Sequence, residues 1–369
     1  MPLSFLISQI LLCALLFPQT LAAQTKPQTV VSIQGEKFYI NGKPTYEERT
    51  WQGYPIEGLL FNSRMVQGIF DDLNPESRQQ WKYPDTSEWS ADRNTNEFVT
   101  AMEEWYRYGL LAFTLNLQGG SPVGYGNKDW VNSAFDEQGN LRTAYFQRLE
   151  KILKKADELG MVVMLGLFYF GQDQHLKNET AILNAVDNTM NWLYEKEYRN
   201  VLIEACNETD VNKYDHEILK TDRIHEIILR IKDMNRKGYS YLTTTSYGGG
   251  TIPKPNVVKV SDYILLHGNG VSDPRRITEM VKATKQVEGY RPMPIVFNED
   301  DHYDFSLDNN NMLAATKIYA SWGYFDFRRN EENFEEGYQS VPVDWSVSSD
   351  RKKAFFEKVR EISGGNTMR

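Results

Sequence analysis

Two acidic residues stand at the ends of apolar runs of strand length. The stretch VLIEACNETD, residues 201 to 210, runs into Asn207 and Glu208, and PIVFNEDD, residues 294 to 301, runs into Asn298 and Glu299. Carboxylates that share a cavity do not ionise independently, because like charge raises the pKa of one and an apolar wall raises it further. One acid can then give a proton while the other stays an anion. Glycosidic bond cleavage needs that division, with a proton for the leaving oxygen and negative charge against an oxocarbenium-like centre. A single Glu after a strand is more often a surface ion pair, so the chemistry depends on whether one fold brings both tips together.

The elements that must position them are legible as alternation. Apolar runs at 64–70, 110–117, 161–168, 200–206, 240–246, 263–266, 294–297 and 324–327 read as eight strands. Between them lie segments with apolar residues three and four apart, such as Phe146, Leu149, Ile152, Leu153 and Ala156 ahead of Gly160, Ile224, Ile227, Ile228 and Ile231, and finally Phe355, Phe356, Val359 and Ile362. Strands alternating with helices imply parallel pairing through crossovers. Eight units over roughly 300 residues fit an α/β fold of the (β/α)8 TIM barrel type, assigned to 64–369. An open doubly wound sheet fits less well, since no GxGxxG follows the first strand. Residues 24–63 form a lead-in in which 30–46, with turn signals at Gln34-Gly35 and Asn41-Gly42, reads as a short N-terminal β-hairpin. A parallel barrel gathers the C-terminal strand ends at one face. Glu208 and Glu299 lie 91 positions apart, close to three repeats of the ~31 residues per unit of a ~250-residue barrel, so strands four and seven can present both to one pocket.

Composition narrows the partners. A net charge of −9 over 369 residues argues against nucleic acid. The first 23 residues, apolar and closing on Ala22 and Ala23, read as a secretory signal peptide, which implies a secreted or periplasmic protein with no stable membrane insertion after cleavage. An uncleaved anchor is the alternative, though the apolar run falls short of the ~20 residues that span a bilayer. Cys13 leaves with the signal and Cys206 remains alone, so a packed core must hold the fold. A thiol nucleophile at Cys206 is disfavoured by the lack of a nearby His. No HxH, HExxH or CxxC pair is present, so no metal or other cofactor is expected. Calcium on Asp71, Asp72, Asp300 and Asp301 is a weak alternative. The chain is expected to act as a monomer.

Other residues fall at the same face. Asp71 after strand one and Gln118 after strand two could meet sugar hydroxyls, and Tyr169 and Tyr247 past strands three and five could stack on a pyranose or roof the barrel. Glu204, four residues before Glu208, points the same way and reads as a structural interior acid paired with a cation. Trp322 reads as packing at the opposite face, and His302 as either cleft wall or surface. The sequons at Asn178 and Asn207 read as chance matches.

With INGKP in the lead-in, VLIEACNE on strand four, His267 after strand six and Glu299 after strand seven, the chain resembles the clan A glycoside hydrolases, most closely family 5, the cellulase- and mannanase-like enzymes. The resemblance implies Glu208 as acid/base, Glu299 as nucleophile, Asn207 as partner of the sugar 2-hydroxyl and His267 as an active-site hydrogen-bonding residue. It further implies a retaining mechanism on a β-linked oligo- or polysaccharide. Thr209 stands where the family usually has Pro, Asp300 where Gly often follows the nucleophile, and Asn269 where an aromatic usually follows the strand-six His; no Trp marks the tip of strand eight. These departures keep open a non-catalytic carbohydrate-binding barrel. A metal-dependent barrel hydrolase is a third reading.

Overall fold

The fold is a computed structural model that describes residues 27–125 and 128–366, and the proposed signal segment lies outside the described residues. All eight expected strands have a counterpart, the first and last sharing only Arg64 and Tyr324 with their runs: β1 Asn62–Arg64, β2 Ala112–Asn116, β3 Val162–Phe168, β4 Val201–Cys206, β5 Thr243–Thr244, β6 Ile264–His267, β7 Ile295–Glu299 and β8 Gly323–Tyr324. Six pair in parallel in the order β8-β1-β2-β3-β4-β5, and β6 pairs with β7. Parallel bridges at Val296–Ser321 and Asp300–Tyr324 join β7 to the β8 region. On the other side, the Asp262 amide donates to the Thr243 carbonyl at 3.1 Å, linking β5 to the entry of β6. The result is the closed (β/α)8 barrel that the alternation implies.

Strand faces alternate, so the barrel interior changes character along its axis. At the N-terminal end Ala112, Val162, Leu202, Leu265 and Val296 fill it, together with Phe38 and Leu60 from the lead-in, all buried. One layer up, in register across β2, β3 and β4, come Asn116, Gly166 and Glu204. Gly166 is required there, because a Cβ would lie 2.3 Å from the Asn116 Oδ1. The C-terminal end carries Arg64 and His267, both buried. An apolar plug thus seals one end and leaves charge at the other, where low dielectric strengthens every electrostatic contact.

Two expectations need correction. The lead-in is a three-stranded antiparallel sheet, Val31–Gln34, Lys37–Ile40 and Lys43–Pro44, because the Asn41-Gly42 turn starts a further strand. Strand one ends at Arg64, and the apolar residues after it form a 3-10 turn, Val66–Ile69. The cause is the helix that follows. From α1, Ala91–Arg107, Asn94 Nδ2 and Thr95 Oγ1 donate to the carbonyls of Gln67 and Gly68, both at 2.7 Å, taking acceptors that a strand would give its neighbour. Gly68 also packs so tightly that a Cβ would lie 2.8 Å from the Phe98 ring.

The remaining helices are α2 Thr143–Leu159, α3 Glu179–Lys196, α4 Ile224–Asp233, the short α5 Pro255–Val258, α6 Pro274–Thr284, α7 Asn311–Lys317 and α8 Asp350–Ser363. They bury the apolar faces read from the sequence, including Leu149, Ile152 and Leu153 on α2, Ile227, Ile228 and Ile231 on α4, and Phe355, Phe356 and Val359 on α8. Asn178 of the first sequon caps α3, its side chain accepting from the Ala181 amide at 3.0 Å. Among the described residues no helix is long and apolar enough to cross a membrane.

Asp300, just past β7, ties the end of that strand to α7 and to the entry of β8. Its Oδ1 accepts from the His302 amide at 2.9 Å and from Asn311 Nδ2 of α7 at 3.1 Å, and its Oδ2 accepts from the Trp322 indole at 2.8 Å. Gly268, past β6, leaves room for that carboxyl, since a Cβ would lie 2.2 Å from Oδ2. Trp322 is therefore a hydrogen-bond donor to the chain just beyond Glu299, not mere packing at the opposite face. Burial pushes the Asp300 carboxyl up to about 7, although these donors favour the anion. Because the folded value lies above the unfolded one, the folded state binds more protons between them. Stability from this group is present at low pH and is lost as pH rises through about 7. Urea unfolding of wild type and Asp300→Asn between pH 4 and 8 should show the advantage of wild type over the variant shrinking as pH rises. An advantage that is flat or grows with pH contradicts this reading.

Candidate active site

The site is built where β1, β4, β6 and β7 end. Arg64 is the last residue of β1, His267 the last of β6 and Glu299 the last of β7, while Glu208 follows β4 by two residues. A register shift between Leu266 and His267 sets His267 opposite Glu299. The His267 Nδ1 lies 2.9 Å from Glu208 Oε1 and 3.5 Å from Glu299 Oε2. One donor atom from each of Glu208, His267 and Glu299 lies within 4.8 Å of the others. Arg64 Nη1 sits 2.7 Å from Glu299 Oε2, an ion-pair distance, although its N–H does not align as a hydrogen bond. Asn269 Nδ2 donates to Glu299 Oε1 at 2.6 Å.

Glu208 is held in an uncommon backbone conformation, with φ +50°, a left-handed region that costs a non-glycine residue ~1–2 kcal/mol. Its amide donates to Ser246 Oγ at 2.9 Å, and the Thr209 amide donates to the Ser246 carbonyl at 3.0 Å. The second bond explains one departure from the family pattern, because proline has no N–H to give. The Thr209 hydroxyl also donates to the Leu219 carbonyl at 2.6 Å. Asn207 is buried; its backbone N–H donates to the Phe168 carbonyl at 3.0 Å, and its side-chain Oδ1 has no hydrogen-bond partner. A glycan placed on Asn207 has no room, in line with reading that sequon as chance.

Burial is the largest influence on both glutamates and pushes each carboxyl up. In Glu208 the bond and charge of His267, helped by Arg64, outweigh it, so the group lies below its ordinary value. In Glu299 burial prevails over Arg64 and His267, and the Glu208 charge adds to it, so the group lies above. Burial also opposes the His267 charge, yet the surrounding carboxylates Glu299, Glu208 and Glu204 raise its pKa. Taken alone, this order of the two glutamates runs against the roles the resemblance implies. The chemistry of the two cations reconciles them. Arg64, which cannot surrender its proton, lies against Glu299, whereas the titratable His267 bonds Glu208. A fixed positive charge therefore stands on the Glu299 side, and a titratable N–H stands against Glu208.

The geometry sorts the other candidates. Tyr169 is buried near the pair, within reach of the charges of Arg64, Glu299 and Glu208, and its ring stacks on Phe170 with centroids 4.2 Å apart. Asp71 is not at the pair. It accepts from the Trp89 indole at 3.1 Å and pairs with Arg78 at 3.0 Å, fixing the loop after the 3-10 turn that displaced it. Gln118 is turned into its own loop, donating to Ser133 Oγ at 3.0 Å and the Gln172 carbonyl at 3.2 Å. Tyr247 is buried past β5, where its charged neighbours are Asp210 and Asp222 instead of the glutamates. Glu204 has no direct cation partner among the described residues; its Oε1 accepts from Ser246 Oγ at 2.5 Å.

Several site residues escape the sequence reading. Arg64 was hidden as the first residue of an apolar run that continues through Phe70. Asn269 fills the aromatic position of the family pattern and supplies a hydrogen bond to Glu299. Tyr125, exposed in the loop after β2, bonds the Asp301 carboxylate, feels the charges of both glutamates, and packs edge-on against Phe325 and Phe327. Phe325, beside the end of β8, lies 5.9 Å from the Arg64 guanidinium.

Two carboxylate–histidine trios invite comparison with metal sites. At Glu208–His267–Glu299 the buried Arg64 already supplies the neutralising positive charge. At Asp300–Asp301–His302 the Asp300 oxygens accept three protein donors, and His302 Nδ1 lies 2.5 Å from Asp301 Oδ1. Of the other acids considered for calcium, Asp72 is taken by Ser77, Trp81 and the amides of Asn74 and Val131.

No sequence-family model matches the chain, and no curated protein does. Its structure, in contrast, matches many solved ones. A glycoside hydrolase family 5 protein from Bacteroides vulgatus aligns with a TM-score of 0.53 at 13% identity, covering 91% of this chain and 72% of its own. The β-mannanase of the blue mussel Mytilus edulis aligns at 0.53 and 9%, covering 90% and 96%, and the family 5 mannosidase of Rhizomucor miehei at 0.52 and 11%, covering 91% and 97%. The chain spans 61% of a further Bacteroides vulgatus glycoside hydrolase, which it matches at 0.54 and 15%. At such identities the likeness is one of fold. The chain shares the (β/α)8 fold of these glycoside hydrolases, and two glutamates face each other across its C-terminal mouth.

Proposed function

We propose that the protein is a secreted retaining glycoside hydrolase that cleaves a β-linked oligo- or polysaccharide. The observation that carries this reading is the approach of the Glu208 and Glu299 oxygens to within 4.8 Å, around His267 and beside Arg64. Retaining enzymes hold their carboxyl groups ~5–5.5 Å apart, whereas inverting ones leave ~6.5–9.5 Å for a water. Glu299 attacks the anomeric carbon while Glu208 protonates the departing oxygen, and a glycosyl-enzyme ester forms. Glu208, now a base, takes a proton from water, which attacks the same carbon and frees Glu299.

The neighbouring residues fit these steps. Arg64 and Asn269 stabilise the Glu299 anion before attack and lie where charge changes as the ester forms and breaks. The unpartnered Asn207 Oδ1 offers an acceptor for a sugar hydroxyl. Tyr125, exposed, supplies a ring beside the pair, while Tyr169 is buried beneath it. β-Mannans and β-glucans are the first substrates to try, since structural neighbours include β-mannanases and a family 5 mannosidase. Secretion rests on the N-terminal sequence, and mature exported protein should begin near Gln24; a chain that keeps residues 1–23 contradicts cleavage there.

On an active substrate, Glu208→Gln should lower kcat by ~10²–10⁴-fold, the usual contribution of a general acid. Glu299→Ala should be inactive and, given azide, should release a glycosyl azide of inverted configuration; Glu208→Ala with azide should give the retained one. Protein that binds oligosaccharides yet turns over none of them favours the non-catalytic barrel. Arg64→Met removes a charge that favours the Glu299 anion. The carboxyl should therefore titrate higher, moving the acidic limb of kcat/KM to higher pH, with a fall in kcat. An acidic limb that stays in place or moves down contradicts this role for Arg64.

A further inference from the structure

The chain that holds Glu208 does not end at its own loop. Ser246, buried just past β5, uses one hydroxyl in two directions: its Oγ accepts the Glu208 amide at 2.9 Å and donates to Glu204 Oε1 at 2.5 Å. Its carbonyl takes the next amide, that of Thr209, at 3.0 Å. The residue so gripped has φ +50°, a conformation a non-glycine residue keeps only where its surroundings impose it. Glu204 lies one layer deeper in the barrel, fully buried, with no direct ion pair among the described residues and with Oε2 unpartnered. Burial, against the pull of His267 and Arg64, raises its pKa. A buried acid with a single side-chain hydrogen bond is costly unless that bond has a use.

We propose that Ser246 and Glu204 are positioning residues that lock the strained backbone of Glu208 and so aim its carboxyl at the leaving oxygen. The inference rests on Glu208 being the proton donor. Ser246 is fixed from below by Glu204, and from there it fixes the amide of the working residue. Neither side chain touches the sugar. Loss of the relay lets Glu208 relax out of the left-handed region, which displaces its carboxyl from the line to the glycosidic oxygen while leaving the Arg64–Glu299 side in place.

Leaving-group dependence tests this. Ser246→Ala should lower kcat/KM, which reports formation of the glycosyl-enzyme, ~10²-fold on phenyl β-glycosides, the order expected of a 1 Å misplacement. In the same quantity 2,4-dinitrophenyl glycosides, whose leaving group needs no proton, should lose only a few-fold. Glu204→Ala should behave alike. Glu204→Gln, whose amide oxygen can still accept from Ser246, should recover at least ~10-fold of that loss. Independently of activity, amide exchange at Glu208 should accelerate in both alanine variants. Equal losses on the two leaving groups, no advantage of Gln over Ala at 204, or unchanged exchange at Glu208 would overturn the proposal. If Glu208→Ala itself shows no leaving-group dependence, the assignment of the proton donor fails instead, a separate outcome.

Discussion

Two carboxylates that face each other at a few ångströms stay jointly ionised only with positive charge beside them, and much of this chain's architecture meets that need. Arg64 and His267 meet it in different ways. The guanidinium is a permanent cation, buried against Glu299; the imidazole is a variable one, hydrogen-bonded to Glu208. Removing one partner of such a buried pair leaves the other uncompensated, at a cost of ~3–5 kcal/mol. The ends of four strands must therefore stay in register to within tenths of an ångström. A closed parallel barrel, whose strands are fixed on both sides, suits that demand better than loops alone.

The rest of the structure supports those ends in layers. The apolar plug of Val162, Leu202, Leu265 and Val296 excludes water from below. Above it Asn116, Gly166 and Glu204 form a polar level whose one small residue makes room for its neighbour. Asp300 then anchors the chain immediately beyond Glu299 to α7 and Trp322. The departures from the family pattern make sense in this setting. Thr209 gives an amide that proline lacks, Asn269 gives Glu299 a donor without an aromatic ring, and Asp300 replaces a small residue with a hydrogen-bonded strut.

Most of the architecture was readable from the sequence because parallel barrel strands are buried on both faces and appear as continuous apolar runs. Glu208 and Glu299 were readable because each ends such a run. What escaped depends on contacts between distant segments. Strand one was extended through Phe70 because the apolar 3-10 turn after Arg64 resembles a strand; its carbonyls are in fact taken by Asn94 and Thr95 of α1. That shift hid Arg64 and left Asp71 farther along the loop, held by Trp89 and Arg78. A polar trio, Asn62-Ser63-Arg64, at the head of an otherwise apolar run was the available signal. Gln118 and Tyr247 do follow their strands, but side-chain direction there is set by loop partners, Ser133 and Gln172 for the glutamine, that periodicity does not encode. The Ser246 link to Glu204 spans 42 residues, and the positive φ of Glu208 has no signature in residue type.

The central claim is that Glu299 becomes covalently bonded to sugar while Glu208 manages the proton. Incubation with 2-deoxy-2-fluoro glycosides bearing a good leaving group, followed by peptide mass mapping, tests it most directly. The fluorine slows breakdown of the intermediate and lets it accumulate. The account predicts one added glycosyl group on the peptide that contains Glu299. Label on Glu208, or rapid turnover with inverted product and no adduct, contradicts it.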